Sequence, residues 1–241
     1  MKSFSIFLVF VFSFGALAFQ PNKIIGNNEL IAVNSEATNI PLKYKKLVNA
    51  FGLLSMSCTA THIGNGYVLT AGHCFWVGSD LAMDLPCDGV TIEWGLRQGL
   101  APYMKSQCER VVYAQRSTTS DFAILKVDPV PDVAVGVELF RTAVAGDSVT
   151  IFSHPEQLPL HWSNVCSIES QLDPKLAPGT LQHKCDTNPG SSGATIIDVN
   201  TNKIVGIHNG GRSPSAGVGM NYGTFLTNES LLTALRQLGF N

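Results

Sequence analysis

From about residue 48 onward the chain is built of short segments in which apolar and β-branched residues alternate with polar ones, each segment cut off by turn residues. "GLLSMSCTATHI" reads as a strand, "GNG" (64–66) as a turn and "YVLTA" as the returning strand of a hairpin. "VTIEWGL", "ERVVYAQ", "DFAILKV", "DSVTIFS", "NVCSIES", "GATIIDV", "KIVGIHN" and "MNYGTFL" follow at short spacing. That spacing leaves little room for crossover helices, so it predicts an all-β barrel or sandwich rather than a βαβ fold. A single amphipathic helix is expected near residue 230, capped by Asn228, with Leu231, Leu232, Leu235 and Leu238 on one face. The Pro-rich stretch "VDPVPDVAVGVELF" (127–140) is the expected linker between two halves.

The 241 residues suffice for one large β domain or two small halves sharing a cleft. With 45% hydrophobic and 14% charged residues the chain can bury a sizeable core and is not expected to be disordered. Net charge is −2 and neither sign forms a block, so the basic stripe of a nucleic-acid-binding protein is missing.

"MKSFSIFLVFVFSFGALAFQ" has the charged start, apolar run and Ala16-Leu17-Ala18 ending of a signal peptide over 1–18. The apolar run is too short for a membrane span. All six cysteines, Cys58, Cys74, Cys87, Cys108, Cys166 and Cys185, follow it. An even number in an exported chain points to disulfides, with 15 possible connectivities. Zinc binding would want close C-x-x-C pairs, and the sequence has none. Asp80, Asp84 and Asp88 lack the glycine context of a calcium loop and read as solvated loop residues.

Three stretches carry chemistry. "LTAGHCF" puts His73 at the end of a strand, "SDFAILKV" puts Asp121 at the head of one, and "NPGSSGA" puts Ser192 in a glycine-flanked turn. A serine hydroxyl attacks a carbonyl only when an imidazole takes its proton and a carboxylate orients that imidazole. It also needs backbone N–H groups aimed at the developing oxyanion, which a tight glycine-rich turn can present.

The order His, Asp, Ser, with "TAGHC", "DFAIL" and "PGSSGAT", resembles the chymotrypsin/trypsin-fold serine endopeptidases over residues 24 to 241. The resemblance implies two antiparallel six-stranded β-barrels, about 24–130 and 131–241, with a short C-terminal helix and the site in the cleft between the barrels. His73 becomes general base and then general acid, Asp121 its orienting carboxylate and Ser192 the nucleophile. Gly190 and Ser192 supply the oxyanion-hole N–H groups, and Ser191 is the variable position of the G-x-S-G pattern. Cys58 precedes Cys74 by sixteen residues, the spacing of the disulfide that in this family brackets the histidine loop. Order and spacing favour Cys87–Cys108 and Cys166–Cys185 for the others. No cofactor or metal is implied. The expected partner is a protein or peptide substrate, met by a secreted monomer, extracellular or periplasmic, with no membrane or nucleic-acid contact once the signal is removed.

Departures from the pattern bear on regulation and specificity. Animal trypsins have Asp before the nucleophile, where it pairs with the freed N-terminal amine; Ser191 cannot do this. "NKIIGNNEL" still looks like a processing site, leaving 19–23 as a short pro-segment and Ile24 as the new terminus, 49 residues before His73. That interval is similar to the one in bacterial glutamyl endopeptidases. Those enzymes carry "GIH-x-GG" where this chain has "GIHNGG", which implies that His208, with Gly211 beside it and Thr187 opposite, receives an acidic side chain. Such a site would neutralise and hydrogen-bond the carboxylate. Asp186 points the other way: it holds the position from which trypsins bind Arg or Lys, and facing the pocket it would select a basic side chain. A protease-fold binding protein without catalysis is the rival from another class, and it is usually betrayed by a lost triad member.

Overall fold

Among the described residues of the computed structural model, 23–212 and 219–241, the alternating segments become fourteen strands. The signal-peptide reading over 1–18 lies outside the described residues. In chain order the strands are β1 (Ile31–Ala32), β2 (Phe51–Leu54), β3 (Cys58–Gly64), β4 (Tyr67–Thr70), β5 (Ala82–Leu85), β6 (Thr91–Trp94) and β7 (Met104–Arg116). β8 (Asp121–Asp128), β9 (Ser148–Ser153), β10 (His161–Glu169), β11 (Leu181–His183), β12 (Thr195–Asp198), β13 (Ile204–Arg212) and β14 (Met220–Phe225) follow. In the first sheet β7-β6-β2-β3-β4-β8 closes because β8 pairs back with β7; in the second β10-β11-β14-β13-β12-β9 closes because β9 pairs back with β10. Both are closed six-stranded antiparallel barrels, the chymotrypsin-like architecture. Each carries one short extra strand, β5 on β7 and β1 on β10, so the chain touches the second barrel before it builds the first.

Burial explains why "DFAILKV" reads as a solid apolar run. Phe122 and Ile124 of β8 face the seam between the barrels, and Ala123, Leu125 and Val127 face the first barrel's interior. The seam continues with Phe51, Leu69, Phe152, Trp162, Ile197 and Ile207, and Phe51 stacks on Phe152 at 4.9 Å between ring centroids. Because both barrels contribute to one shared core, residues at the cleft are held by packing from two sides.

One reading is corrected. "GLLSMSCTATHI" is not a single strand but two, β2 and β3, joined by a turn in which Ser57 has φ 60°. A serine in the left-handed region carries none of the glycine signal that marks such turns. The next turn is as expected, with Asn65 and Gly66 at φ 53° and 70° between β3 and β4. The 127–140 stretch begins as the end of β8 and then runs along both barrels: Val135 N–H donates to His62 O, and Glu138 N–H to Ile204 O. The C-terminal helix (Glu229–Gln237) forms with Asn228 as its cap, its side chain accepting from Leu231 N–H. Leu231 and Leu235 enter the seam, with Leu232 and Leu238 at its edge. A four-residue helix at Leu42–Lys45, which the alternation does not foreshadow, precedes the first barrel.

The three disulfides are Cys58–Cys74, Cys87–Cys108 and Cys166–Cys185, as order and spacing favoured. No helix among the described residues is long and apolar enough to cross a membrane.

Candidate active site

His73 sits on the single 3-10 turn Gly72–Phe75 that follows β4, and Cys74 next to it is tied to the start of β3. Asp121 opens β8. Its Oδ1 accepts from the backbone N–H of His73 at 2.8 Å and its Oδ2 lies 2.7 Å from His73 Nδ1. An ionised carboxylate only accepts, so Nδ1 carries the ring hydrogen and Nε2 is left free to accept a proton. The second barrel fixes the aspartate's backbone. Asn209 Nδ2 on β13 donates to Asp121 O (2.6 Å), and Thr224 Oγ1 on β14 accepts from Asp121 N–H (2.9 Å). The threonine hydroxyl in turn lies 2.9 Å from Asn209 Oδ1.

Ser192 sits in the tight turn that "NPGSSG" (188–193) forms before β12. Gly190 and Gly193 have φ 98° and 85°, and a Cβ at either would collide with backbone, 2.5 Å from His154 O at Gly190 and 2.4 Å from Thr59 O at Gly193. Ser191 is fully buried and faces away from the cleft, its Oγ 3.0 Å from Ser153 Oγ and accepting from Asn188 N–H. The Ser192 hydroxyl, in contrast, lines a cavity of about 520 Å³ together with His73, Met56, Trp76 and the Cys58–Cys74 disulfide. Its hydrogen-bond contact is a long one, 3.5 Å to Asn209 O. Attack requires the hydroxyl to turn from that carbonyl to Nε2, a contact that in substrate-free sites is often loose and tightens on binding.

The peptide before Gly190 is fixed by a backbone hydrogen bond. The Pro189 carbonyl accepts from Glu156 N–H at 2.5 Å, which turns the Gly190 N–H to the opposite side of the trans peptide. Neither Gly190 N–H nor Ser192 N–H finds an acceptor among the described residues.

A family model of the trypsin-like peptidase domain matches residues 58–207, more than half of the chain and a span that holds His73, Asp121 and Ser192. The chain belongs to that family. Among solved structures, the M. tuberculosis protease Rv3671c in an inactive form is similar in fold, with TM-score 0.57 and 17% identity over 87% of this chain and 98% of that one. A serine-to-alanine mutant of the same protease, also in an inactive form, gives TM-score 0.56 and 15% identity over 87% and 95%. No curated protein matches the sequence.

In this peptidase domain three of the four pocket positions expected from the sequence, Asp186, Thr187 and Gly211, meet the segment that starts at Lys23, and His208 is near enough to feel the Lys23 ammonium. Thr187 N–H donates to Lys23 O at 3.4 Å, and Asn221 Nδ2 donates to the same carbonyl at 2.9 Å. The methylenes of Lys23 pass 2.9 Å from where a Cβ at Gly211 would stand, so the glycine makes room for them. Burial lowers the Lys23 pKa. Asp186, buried, is committed to the same segment: Oδ1 accepts from Ile25 N–H and Oδ2 from Glu29 N–H, both at 2.8 Å.

The sequence did not point to His183, and it completes the arrangement. Cys185 N–H donates to His183 Nδ1 (3.2 Å), so His183 carries its hydrogen on Nε2 and donates it to His208 Nδ1 at 3.0 Å. His208 therefore carries its own hydrogen on Nε2, and that buried N–H has no partner among the described residues; nor do the buried hydroxyl of Thr187 and Oδ1 of Asn221. Burial pushes the His183 pKa down to about 3 and holds His208 well below the ordinary histidine range, with the neighbouring His183, Lys23 and His73 side chains acting in the same direction. His208 is thus a neutral N–H donor rather than the cation its residue type allows. Asn209 and Thr224 were likewise not singled out, because a polar residue in an alternating strand looks like a solvent-facing one. A three-residue strand such as β11 offers no periodicity from which His183 could have been found.

Proposed function

We propose that the protein is an exported serine endopeptidase that cleaves after acidic residues through an acyl-enzyme. The observation that carries the chemistry is the His73–Asp121 pair at 2.7 Å, together with two backbone N–H groups that lack an acceptor among the described residues. Ser192 Oγ attacks the scissile carbonyl as His73 Nε2 takes its proton, and Asp121 stabilises the imidazolium that results. The carbonyl oxygen, now negative, moves between Gly190 N–H and Ser192 N–H, each worth about 3 kcal/mol of barrier in sites of this kind. His73 then returns the proton to the leaving amine, which departs and leaves the acyl chain on Ser192. A water attacks the ester with His73 again as base, and collapse of the second tetrahedral adduct frees the acid. The three disulfides and the sequence of residues 1–18 support export.

Acid preference is supported by two donors without a partner among the described residues, His208 Nε2–H and Thr187 Oγ1–H. Buried donors without acceptors are costly, and a carboxylate satisfies both at once. Asp186, with both oxygens on backbone N–H groups, is occupied in a way that disfavours a basic side chain. The direct test is kcat/KM on matched peptides with Glu, Arg or Phe before the scissile bond. Glu should lead by at least ~100-fold, the order of discrimination available to a site with dedicated hydrogen bonds. An Arg preference would keep the triad and give the pocket to Asp186.

The place of Lys23 supports regulation by maturation. As long as residue 23 lies across Thr187, Asn221 and Gly211, a substrate side chain cannot use them. Cleavage between Lys23 and Ile24 would clear the pocket. Sequencing of active enzyme should therefore return Ile24 as its first residue; active enzyme starting at Phe19 would refute the maturation step.

A further inference from the structure

We infer that Thr59 is a positioning residue of the oxyanion hole, its side-chain hydroxyl setting the orientation of the peptide that joins the two N–H donors. The inference rests on the serine-peptidase reading. Thr59 is fully buried on β3 of the first barrel, beside Cys58, whose disulfide reaches the neighbour of His73. Its Oγ1 donates to Gly190 O at 2.9 Å and accepts from His154 N–H at 2.9 Å. Because His154 N–H can only donate, the one hydrogen of the hydroxyl is assigned to Gly190 O. The backbone of the same residue continues the clamp, with Thr59 N–H on Ser192 O at 2.8 Å and Thr59 O accepting from Thr70 Oγ1 at 2.8 Å. Two residues further along β3 the cross-barrel contact repeats, Thr61 Oγ1 lying 2.9 Å from Thr195 Oγ1.

What the hydroxyl does follows from the order of peptides in the loop. Gly190 N–H belongs to the peptide fixed by Pro189 O on Glu156 N–H. Ser192 N–H belongs to the peptide whose carbonyl, Ser191 O, accepts from Ala194 N–H at 3.0 Å. Between them lies the Gly190–Ser191 peptide, held by Ser191 N–H on Asn188 O and, at its carbonyl, by Thr59 Oγ1. Gly190, at φ 98°, is the residue about which that peptide can most easily turn. Any rotation there changes the angle between the two donors, and preorganisation of those donors is what makes them effective. The residue before Ser192 is Ser191, bound to Ser153, and the first barrel reaches across to the loop with Thr59. Through Cys58 and Thr59 a two-residue stretch ties the base and the oxyanion loop to one strand.

The test compares mature wild type with Thr59→Val and Thr59→Ser, reading kcat and KM on a Glu peptide and the inhibition constant of the matching peptide aldehyde, whose hemiacetal oxygen occupies the hole. In Thr59→Val kcat should fall about 10- to 100-fold, less than the 100- to 1,000-fold loss of a whole donor. KM should hold, and aldehyde affinity should weaken by the same factor as kcat. Thr59→Ser keeps the hydroxyl and should restore both. A valine variant within threefold of wild type in kcat and aldehyde affinity overturns the inference. So does a serine variant as impaired as the valine one, or a loss confined to KM. If Thr59→Val fails to fold, Thr59→Cys carries the same two readouts with a weakened donor and the same criteria. Titration of wild-type Ser192 with a small phosphonofluoridate separates the two levels: an unreactive wild type contradicts the peptidase reading itself, whereas a reactive wild type with an unaffected Thr59→Val contradicts the role of Thr59 alone.

Discussion

Asp121→Asn is expected to lower kcat by about four orders of magnitude at neutral pH while leaving the protein folded. Asp121 accepts twice from the same residue, from the His73 ring and from its backbone N–H. An asparagine side chain has one acceptor oxygen and one donor amide. With the oxygen on the backbone N–H, the amide faces Nδ1 and forces that nitrogen to accept, so the ring hydrogen moves to Nε2. The base then has no lone pair for the Ser192 proton, and the site becomes inactive without losing its shape. The fold should persist because Asn209 and Thr224 hold the backbone of residue 121, not its carboxylate. Rates on a Glu peptide and a thermal melt measure both halves of the expectation. A loss below about tenfold would mean that His73 does not depend on Asp121 for its tautomer.

His208→Phe is expected to remove preference rather than catalysis. Phenylalanine fills the fully buried site with a ring of similar size but offers no N–H. A substrate carboxylate would then lose its ring donor and keep only Thr187, leaving a buried charge partly unpaired. Sites that discriminate by such hydrogen bonds lose up to 10⁴–10⁵ when the pairing fails. With Thr187 still in place, a fall of about 10³ in kcat/KM for the Glu peptide is the expected outcome. Hydrolysis of a small activated ester, which does not enter the pocket, should change by less than about threefold. Equal losses on both substrates would place His208 in the support of the fold and not in recognition. His183→Phe should weaken the same preference to a smaller degree, since His208 then keeps its N–H but loses the neighbour that fixes which nitrogen bears it.

The residues of the proposed triad stand out in the sequence because each is embedded in a short motif whose neighbours have their own structural reasons. Gly190 and Gly193 are needed at positive φ against backbone, and the apolar run after Asp121 is needed because β8 is buried on both faces. The barrels were readable from alternation, and their closure from the resemblance that motif order supported. The rest was hidden for local reasons. β2 and β3 merged in the sequence because Ser57 turns the chain without a glycine, and β1 and β11 have two and three residues. Thr59, His183, Asn209 and Thr224 act through partners more than a dozen residues away, and nothing in a polar residue on a strand says which carbonyl its side chain will meet. Asp186 shows the converse. Its position was legible, but the backbone N–H groups of Ile25 and Glu29 that absorb its charge were not.

The most direct measurement is mass spectrometry of the mature protein after reaction with a small phosphonofluoridate, run beside Ser192→Ala and followed by hydrolysis of the Glu peptide. The account predicts one adduct per chain, located on Ser192, loss of hydrolysis in proportion to labelling, and neither adduct nor hydrolysis in the alanine variant. A fully matured wild type that takes no label at Ser192 and cleaves no peptide would contradict it, and would leave the cleft as a surface for binding rather than for catalysis.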